Sequence, residues 1–167
     1  GSQRAQVTIN LDPWSWQLTR DGNRGFFTIA RRHYSAKKNR RPKIRQSIGP
    51  GGKMALITAN GHAIFAWRKF IDDSGQHGVN CAIFRNERGG CLNSTHEHCS
   101  SNLIQRADEL AWERWPGERL YTYVDSREIL SRYPGYCFIR AGWRYVRDAE
   151  GRPLKTKAGQ HILECLP

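Results

Sequence analysis

The chain has 167 residues, room for one domain with a real hydrophobic core and too few for a second. Hydrophobic residues make up only 38%, but six Trp, six Tyr and six Phe supply large surfaces to bury, which excludes a disordered chain. The formal charge of +12 points to a polyanionic partner.

No run reaches the roughly 18 apolar residues of a membrane span, and the first residues lack a basic-then-apolar signal pattern, so a cytoplasmic protein without membrane contacts is expected. Five cysteines without a tight framework of spacings suit a reducing compartment. Gly1 and Ser2 read as a tag remnant, and the whole of 1–167 reads as a single domain.

Residues 6–19 carry Val7, Ile9, Leu11, Trp14, Trp16 and Leu18 and predict a strand interrupted at Asp12 and Pro13. Gly25 opens a short helix with Phe26, Phe27, Ile29, Ala30 and Tyr34, ended before Pro42. A three-strand meander follows over 54–59, 63–71 and 79–84, its first turn marked by Asn60 and Gly61. An irregular, glycine-containing loop is expected over 85–101. A helix comes next, with Leu103, Ala107, Leu110, Ala111 and Trp115 on one face, stopped by Pro116 and Gly117. Residues 120–124 predict a strand ending at Asp125, 126–142 contain a short helix, and 143–146 with 161–166 form a last hairpin. The sum is a mixed α+β domain.

Charge is unevenly spread along this order. Between Phe26 and Ile71 there is no Asp or Glu, while 11 of the 27 Lys and Arg fall there. The densest part runs through Arg31, Arg32, Lys37, Lys38, Arg40, Arg41, Lys43 and Arg45. A solvated loop rarely carries one sign only, so double-stranded DNA is the expected partner, held by phosphate contacts that weaken with salt.

Set against that run is the triplet His33, Tyr34, Ser35. One reading is a helix end whose histidine meets the terminal carbonyls while Tyr34 packs in the core. Another, which rests on the fold resemblance given below, joins the triplet to Asp125 and to Tyr136 at the start of the late helix. Together they make either a general acid/base array or an oxygen-rich metal site with one imidazole. Tyrosinate formation at neutral pH needs a strong Lewis acid, which iron supplies better than magnesium.

Cys91, His96, His98 and Cys99 form a compact set with zinc-binding residue types, but adjacent His98 and Cys99 cannot easily share one metal, and a polar insertion is the simpler reading. Asp108, Glu109 and Glu113 are expected on the solvated face of their helix, and Trp112 and Trp115 in the core or at its rim. His62, His77 and His161 receive no role.

The element order resembles the GNAT acyltransferase superfamily, whose mixed sheet splays between its fourth and fifth strands to hold an acyl-CoA. Those strands correspond here to 79–84 and 120–124. The segment from Pro134 through Tyr136, Cys137 and Phe138 to Gly142 and Trp143 resembles that superfamily's late helix and turn. The usual pyrophosphate loop is not matched in register by Arg85, Asn86, Glu87, Arg88, Gly89, Gly90, which puts CoA binding in doubt.

More narrowly, the His33-Tyr34-Ser35 triplet, Arg85, Asp125 and the Pro-Gly-Tyr-Cys-Phe segment resemble the Mom-like group of phage DNA-modification proteins, a divergent GNAT branch. Their spacing covers the chain from about Phe26 to Trp143. The resemblance implies carbamoylmethylation of adenine N6, which shields phage DNA from restriction, in the cytoplasm of the host. It makes His33, Tyr34, Ser35, Asp125 and Tyr136 catalytic candidates, with His33, Tyr34, Asp125 and Tyr136 as iron ligands. Arg85, Ser100 and Ser101 become candidates for binding the donor, an acyl-CoA or related small molecule.

Adenine N6 is delocalised into its ring and so a poor nucleophile, and attaching a CH2-CO-NH2 group through carbon is alkylation, not acylation. A redox-capable metal relieves that mismatch. The base must also be exposed, by flipping or by groove access. The alternatives are an acyl-CoA-dependent N-acyltransferase acting on another amine, and a non-enzymatic nucleic-acid-binding protein on a GNAT scaffold. Two-fold assembly would suit a duplex target.

Overall fold

The structure, a computed structural model, describes residues 12–33, 47–71, 75–88, 99–125 and 135–167. In chain order the elements are β1 (Trp16–Thr19), α1 (Arg24–Ala30), β2 (Gly52–Thr58), β3 (Ala63–Lys69), β4 (Val79–Asn86), α2 (Ser100–Arg114), β5 (Leu120–Val124), α3 (Tyr136–Arg140), β6 (Arg144–Tyr145) and β7 (His161–Cys165). They build one mixed α+β layer, a seven-stranded sheet in the order β1-β2-β3-β4-β5-β7-β6.

Every pairing in the sheet is antiparallel except β4 with β5. A parallel neighbour cannot follow directly in the chain and needs a crossover, which α2 supplies. The start of this pair is unusually close. Gly78 sits at φ +122° where a Cβ would lie 2.1 Å from the Arg119 carbonyl oxygen, and Val79 N–H donates to that same oxygen at 2.8 Å. Only glycine lets β4 enter beside Arg119.

Alternation along β2, β3 and β4 divides the buried side chains between two faces. On one face Leu56, Phe65, Trp67, Val79, Leu120 and Leu163 pack with Ile104, Ala107 and Ala111 of α2 and with Phe138 and Trp143. Two indoles tie the helix down: Trp67 Nε1 donates to the Ala107 carbonyl at 3.0 Å and Trp16 Nε1 to the Leu103 carbonyl at 2.8 Å. On the other face Phe26, Ile29 and Ala30 of α1 cover Ala55, Ile64, Ala66 and Ile83. The α1 helix starts where Asn23 caps it, its side chain accepting from Gly25 and Phe26 N–H.

Several sequence expectations shift. Within the described residues the first strand is only Trp16–Thr19, because Asp12 holds a turn through Trp14 N–H (2.9 Å) and Ser15 Oγ (2.8 Å); residues 6–11 lie outside the described residues. The fourth strand runs on through Arg85 to Asn86, so Arg85 is a strand residue opposite Ile64 and not the first residue of a loop. Ser100 and Ser101 open α2 and Ser101 is buried, so neither belongs to a loop.

Asp108 also departs from expectation. It is 3% exposed, facing inward beside Ala107 and Ala111 because Trp143 Nε1 reaches it, donating to Oδ2 at 2.9 Å. Glu109 and Glu113 are on the exposed face, and Trp112 and Trp115 pack at the edge of the core, as expected.

Candidate functional site

The parallel ladder is short. Val79, Asn80 and Cys81 face Leu120, Tyr121 and Thr122, and beyond that point no rung joins the strands although β4 continues to Asn86 and β5 to Val124. Two local features mark the fork. Thr122 Oγ1 donates to the Cys81 carbonyl at 3.0 Å, so a side chain satisfies the last backbone acceptor. On the opposite edge the β3–β4 register slips: Trp67 faces Cys81 and Ala66 faces Ile83, leaving Ala82 as the extra residue of a β-bulge. Bulges bend the strand that carries them and often stand beside functional sites.

The space between the parted strands is a cleft of about 440 Å³. Its walls include His33 beyond α1, Ala82 and Phe84 of β4, Tyr123 and Val124 of β5, and Gly135 through Phe138 at the start of α3. Gly135, at φ +73°, brings α3 close: a Cβ there would stand 3.0 Å from Leu163 Cδ2. An open cleft whose surface is mostly apolar, with polar groups converging on it from several elements, has the make-up of a small-molecule site.

His33 is brought to the cleft because α1 packs on β3 and β4, and the chain leaving the helix turns there, with His33 N–H donating to the Ala30 carbonyl at 3.0 Å. Loss of water around the ring, reinforced by the Arg85 guanidinium, pulls its pKa down to about 4 against a hydrogen bond to the Phe84 backbone that favours the charged form. The imidazole is therefore neutral at neutral pH and able to take a proton.

Across the cleft, the Tyr136 hydroxyl accepts from Arg140 Nη1 at 3.0 Å, with the guanidinium also 5.7 Å from the ring centre. Asp125 directly follows the cleft residue Val124 and is half-buried, but it is not among the lining residues. Tyr34 and Ser35 lie outside the described residues.

The donor-binding candidates sit at the C-terminal end of β4 and the start of α2, where Arg85 directly follows the cleft residue Phe84. Arg85 Nε is buried without a hydrogen-bond partner and lies 3.6 Å from Glu87 Oε1. Asn86 Nδ2 donates to Ser100 Oγ at 3.3 Å, which links the end of β4 to the start of α2. Ser101, being buried, is not placed to meet a ligand directly.

Of the basic run, Arg31 and Arg32 are described and Lys37, Lys38, Arg40, Arg41, Lys43 and Arg45 are not. The two described arginines differ. Arg31 is exposed over the Phe27 ring, whereas Arg32 is held by Glu87, its Nε donating to Oε1 at 2.7 Å and its Nη2 to the same oxygen. Acids thus reach the acid-free window from outside it. Asp21 does the same where the chain returns, accepting from Ser47 N–H at 2.7 Å and Ile48 N–H at 2.9 Å, with Lys53 Nζ 3.7 Å away.

Among the described residues no group of three or more His, Cys, Asp or Glu is placed to hold a metal. Of the expected iron ligands that are described, His33 and Tyr136 line the cleft and Asp125 does not, and each of the two has an arginine acting on it. The described residues alone therefore do not compose an iron centre. Of the zinc set, only Cys99 is described, buried as the N-cap of α2.

The cleft also contains residues that sequence reasoning passed over: Asn80, Thr122 and Gln160, with Cys81 and Cys137 as buried or half-buried thiols. Asn80 did carry a signal. It is a polar residue in the apolar run Val79, Asn80, Cys81, Ala82, Ile83, Phe84, and it is 5% exposed.

The chain matches no family model, no curated protein and no solved structure.

Proposed function

We propose that the chain is a group transferase built on a GNAT-like sheet. The observation that carries this is the fork of β4 and β5, with its bulge at Ala82 and the cleft it opens between a neutral imidazole and a tyrosine hydroxyl. A site of this make-up can seat an extended donor between the strands and a proton acceptor beside it.

Within that class, the reading best supported by the residues at hand is Mom-like modification of adenine N6 in DNA. A bond forms between N6 and the donor's carbon, the leaving group departs from that carbon, and N6 gives up one proton. That proton becomes acidic once the new bond removes the lone pair from the ring, so a weak base such as His33 is sufficient. Tyr136, held by Arg140, orients the incoming group. The exposed Arg31 and the basic run it begins supply the phosphate contacts.

Nucleosides prepared from plasmid DNA of cells expressing the protein should include an adenine derivative enlarged by the transferred group, detected by mass spectrometry. A digest with only the ordinary nucleosides sinks this reading. The apolar character of the cleft favours a second, acyl-CoA-dependent N-acyl transfer to another amine, and acetyl-CoA binding without any change in DNA would select it.

A further inference from the structure

A second cavity, of about 680 Å³, lies against the first. It is walled by Arg68 of β3, Asn80 of β4, Tyr123 of β5, and by Lys155, Lys157 and Gln160 from the connection between β6 and β7. Asn80, Tyr123 and Gln160 line both cavities, so the two meet at the fork.

The wall from the β6–β7 connection is built, not loose. Lys155 bridges His161, Leu154 N–H donates to the Val146 carbonyl at 2.8 Å, and Thr156 N–H donates to the Gln160 carbonyl at 3.0 Å. Arg68 is also held, stacked 5.0 Å over Phe70 and filling the space above Gly49, where a Cβ would fall 1.9 Å from Nη1.

Two polar atoms on this wall have no hydrogen-bond partner. Asn80 Oδ1 is an acceptor on a side chain 5% exposed, and Arg68 Nε is a buried donor. A buried acceptor left without a donor is unfavourable, and a ligand's N–H or O–H relieves it. Lys155 and Lys157 stand exposed at the mouth. The pocket thus offers an acceptor at its inner end, at the junction with the cleft, and positive charge at its outer end.

From this we infer that the second cavity binds a nucleotide, with the amino group of the base donating to Asn80 Oδ1 and the phosphate meeting Lys155 and Lys157. The volume suits a ligand of that size. The arrangement puts the amino group at the junction of the two cavities, where a donor in the cleft reaches it. This deepens the transferase reading and rests on it only for what happens next, not for the binding.

The test is equilibrium binding of dAMP and dIMP to the full chain at low salt. The two differ along the C6–N1 edge, an amino group beside an acceptor nitrogen in one and a carbonyl beside an N–H in the other. We expect dAMP to bind roughly 10-fold tighter or more, since two acceptors would face each other with dIMP. Asn80→Asp keeps the acceptor and should keep the preference, and Asn80→Val should abolish it. The pair Lys155→Ala and Lys157→Ala, exposed and safe for folding, should weaken both nucleotides by about 10-fold together without changing their ratio.

Equal affinity for the two nucleotides overturns the inference, as does unchanged binding in the lysine variant. If the nucleotide pattern holds while plasmid DNA stays unmodified, the transferase reading falls and the pocket stands. If DNA is modified but the pattern is missing, the reverse follows.

Discussion

Two regions of this molecule take an ionisable side chain out of water, and they do it to different ends. At the cleft, burial and Arg85 lower the His33 pKa to about 4; between α2 and Trp143, burial raises the Asp108 pKa to about 8, against the indole hydrogen bond and with Glu109 nearby adding to the rise. Both groups are mainly neutral at neutral pH. Yet His33 borders open space and Asp108 is sealed between a helix and an indole. A perturbed pKa reports desolvation, and only the neighbouring geometry says whether chemistry or packing uses it.

The largest effect should come from breaking the sealed side. Trp143→Ala removes a side chain that is 3% exposed, stacked 6.2 Å from Trp67 and bonded to Asp108. The loss should be about 3–5 kcal/mol by chemical denaturation, because a cavity opens and a buried carboxyl loses its donor. A cost under about 1 kcal/mol would mean the joint is not packed as described.

On the open side the pattern should reverse. His33→Ala should reduce DNA modification by about 100-fold or more while the denaturation midpoint moves little. Loss of stability as large as that of Trp143→Ala would place His33 with the packing residues, on the same footing as Asp108.

The two groups also pull stability in opposite directions with pH. His33 has a lowered folded pKa, about 4 against 6.5, so the stability it contributes is present above 6.5 and is lost as pH falls toward 4. Asp108 has a raised folded pKa, about 8 against 3.8, so its contribution is full below 3.8 and is lost as pH rises through 8.

Across the shared window the slopes oppose each other, and from 6.5 to 8 only the Asp108 slope remains. Compared with the parent, Asp108→Asn should remove a decline of up to about 1.4 kcal/mol per pH unit between 4 and 8, and His33→Gln should remove the acid-side rise. Melting temperatures of the three proteins across this range check the signs. A difference between Asp108→Asn and parent that does not vary with pH would deny the carboxyl its raised pKa.

Much of the frame was legible in sequence because it depends on short-range pattern. The meander strands follow from alternation, the β2–β3 turn from Asn60 and Gly61, and α2 from its apolar spacing up to Pro116. What stayed hidden depends on contacts between distant residues. Asp108 is indistinguishable from its exposed neighbour Glu109 until Trp143 arrives from 35 positions away. The partners of Arg32 and Arg119, Glu87 and Glu164, lie 55 and 45 positions off. Of the residues lining the cleft, His33 and Tyr136 stand out in the sequence by residue type and by the family resemblance, whereas Asn80 and Gln160 gain meaning only from the cavities they share.

The smallest predicted effect separates the two neighbouring arginines at the cleft's edge. Charge counting treats Arg31 and Arg32 as equals, but the Arg32 guanidinium is already engaged by Glu87, whereas Arg31 lies over the Phe27 ring. In DNA binding, each neutralised phosphate adds about 0.9 to the slope of log affinity against log salt. Arg31→Ala should lower that slope by about that amount. Arg32→Ala should lower it by less, since Glu87 already neutralises much of the Arg32 charge. Glu87→Gln then becomes the sharper probe: by releasing Arg32 and deleting the acid together it should strengthen DNA binding at low salt, and a weakening instead would show that the ion pair shapes the docking surface.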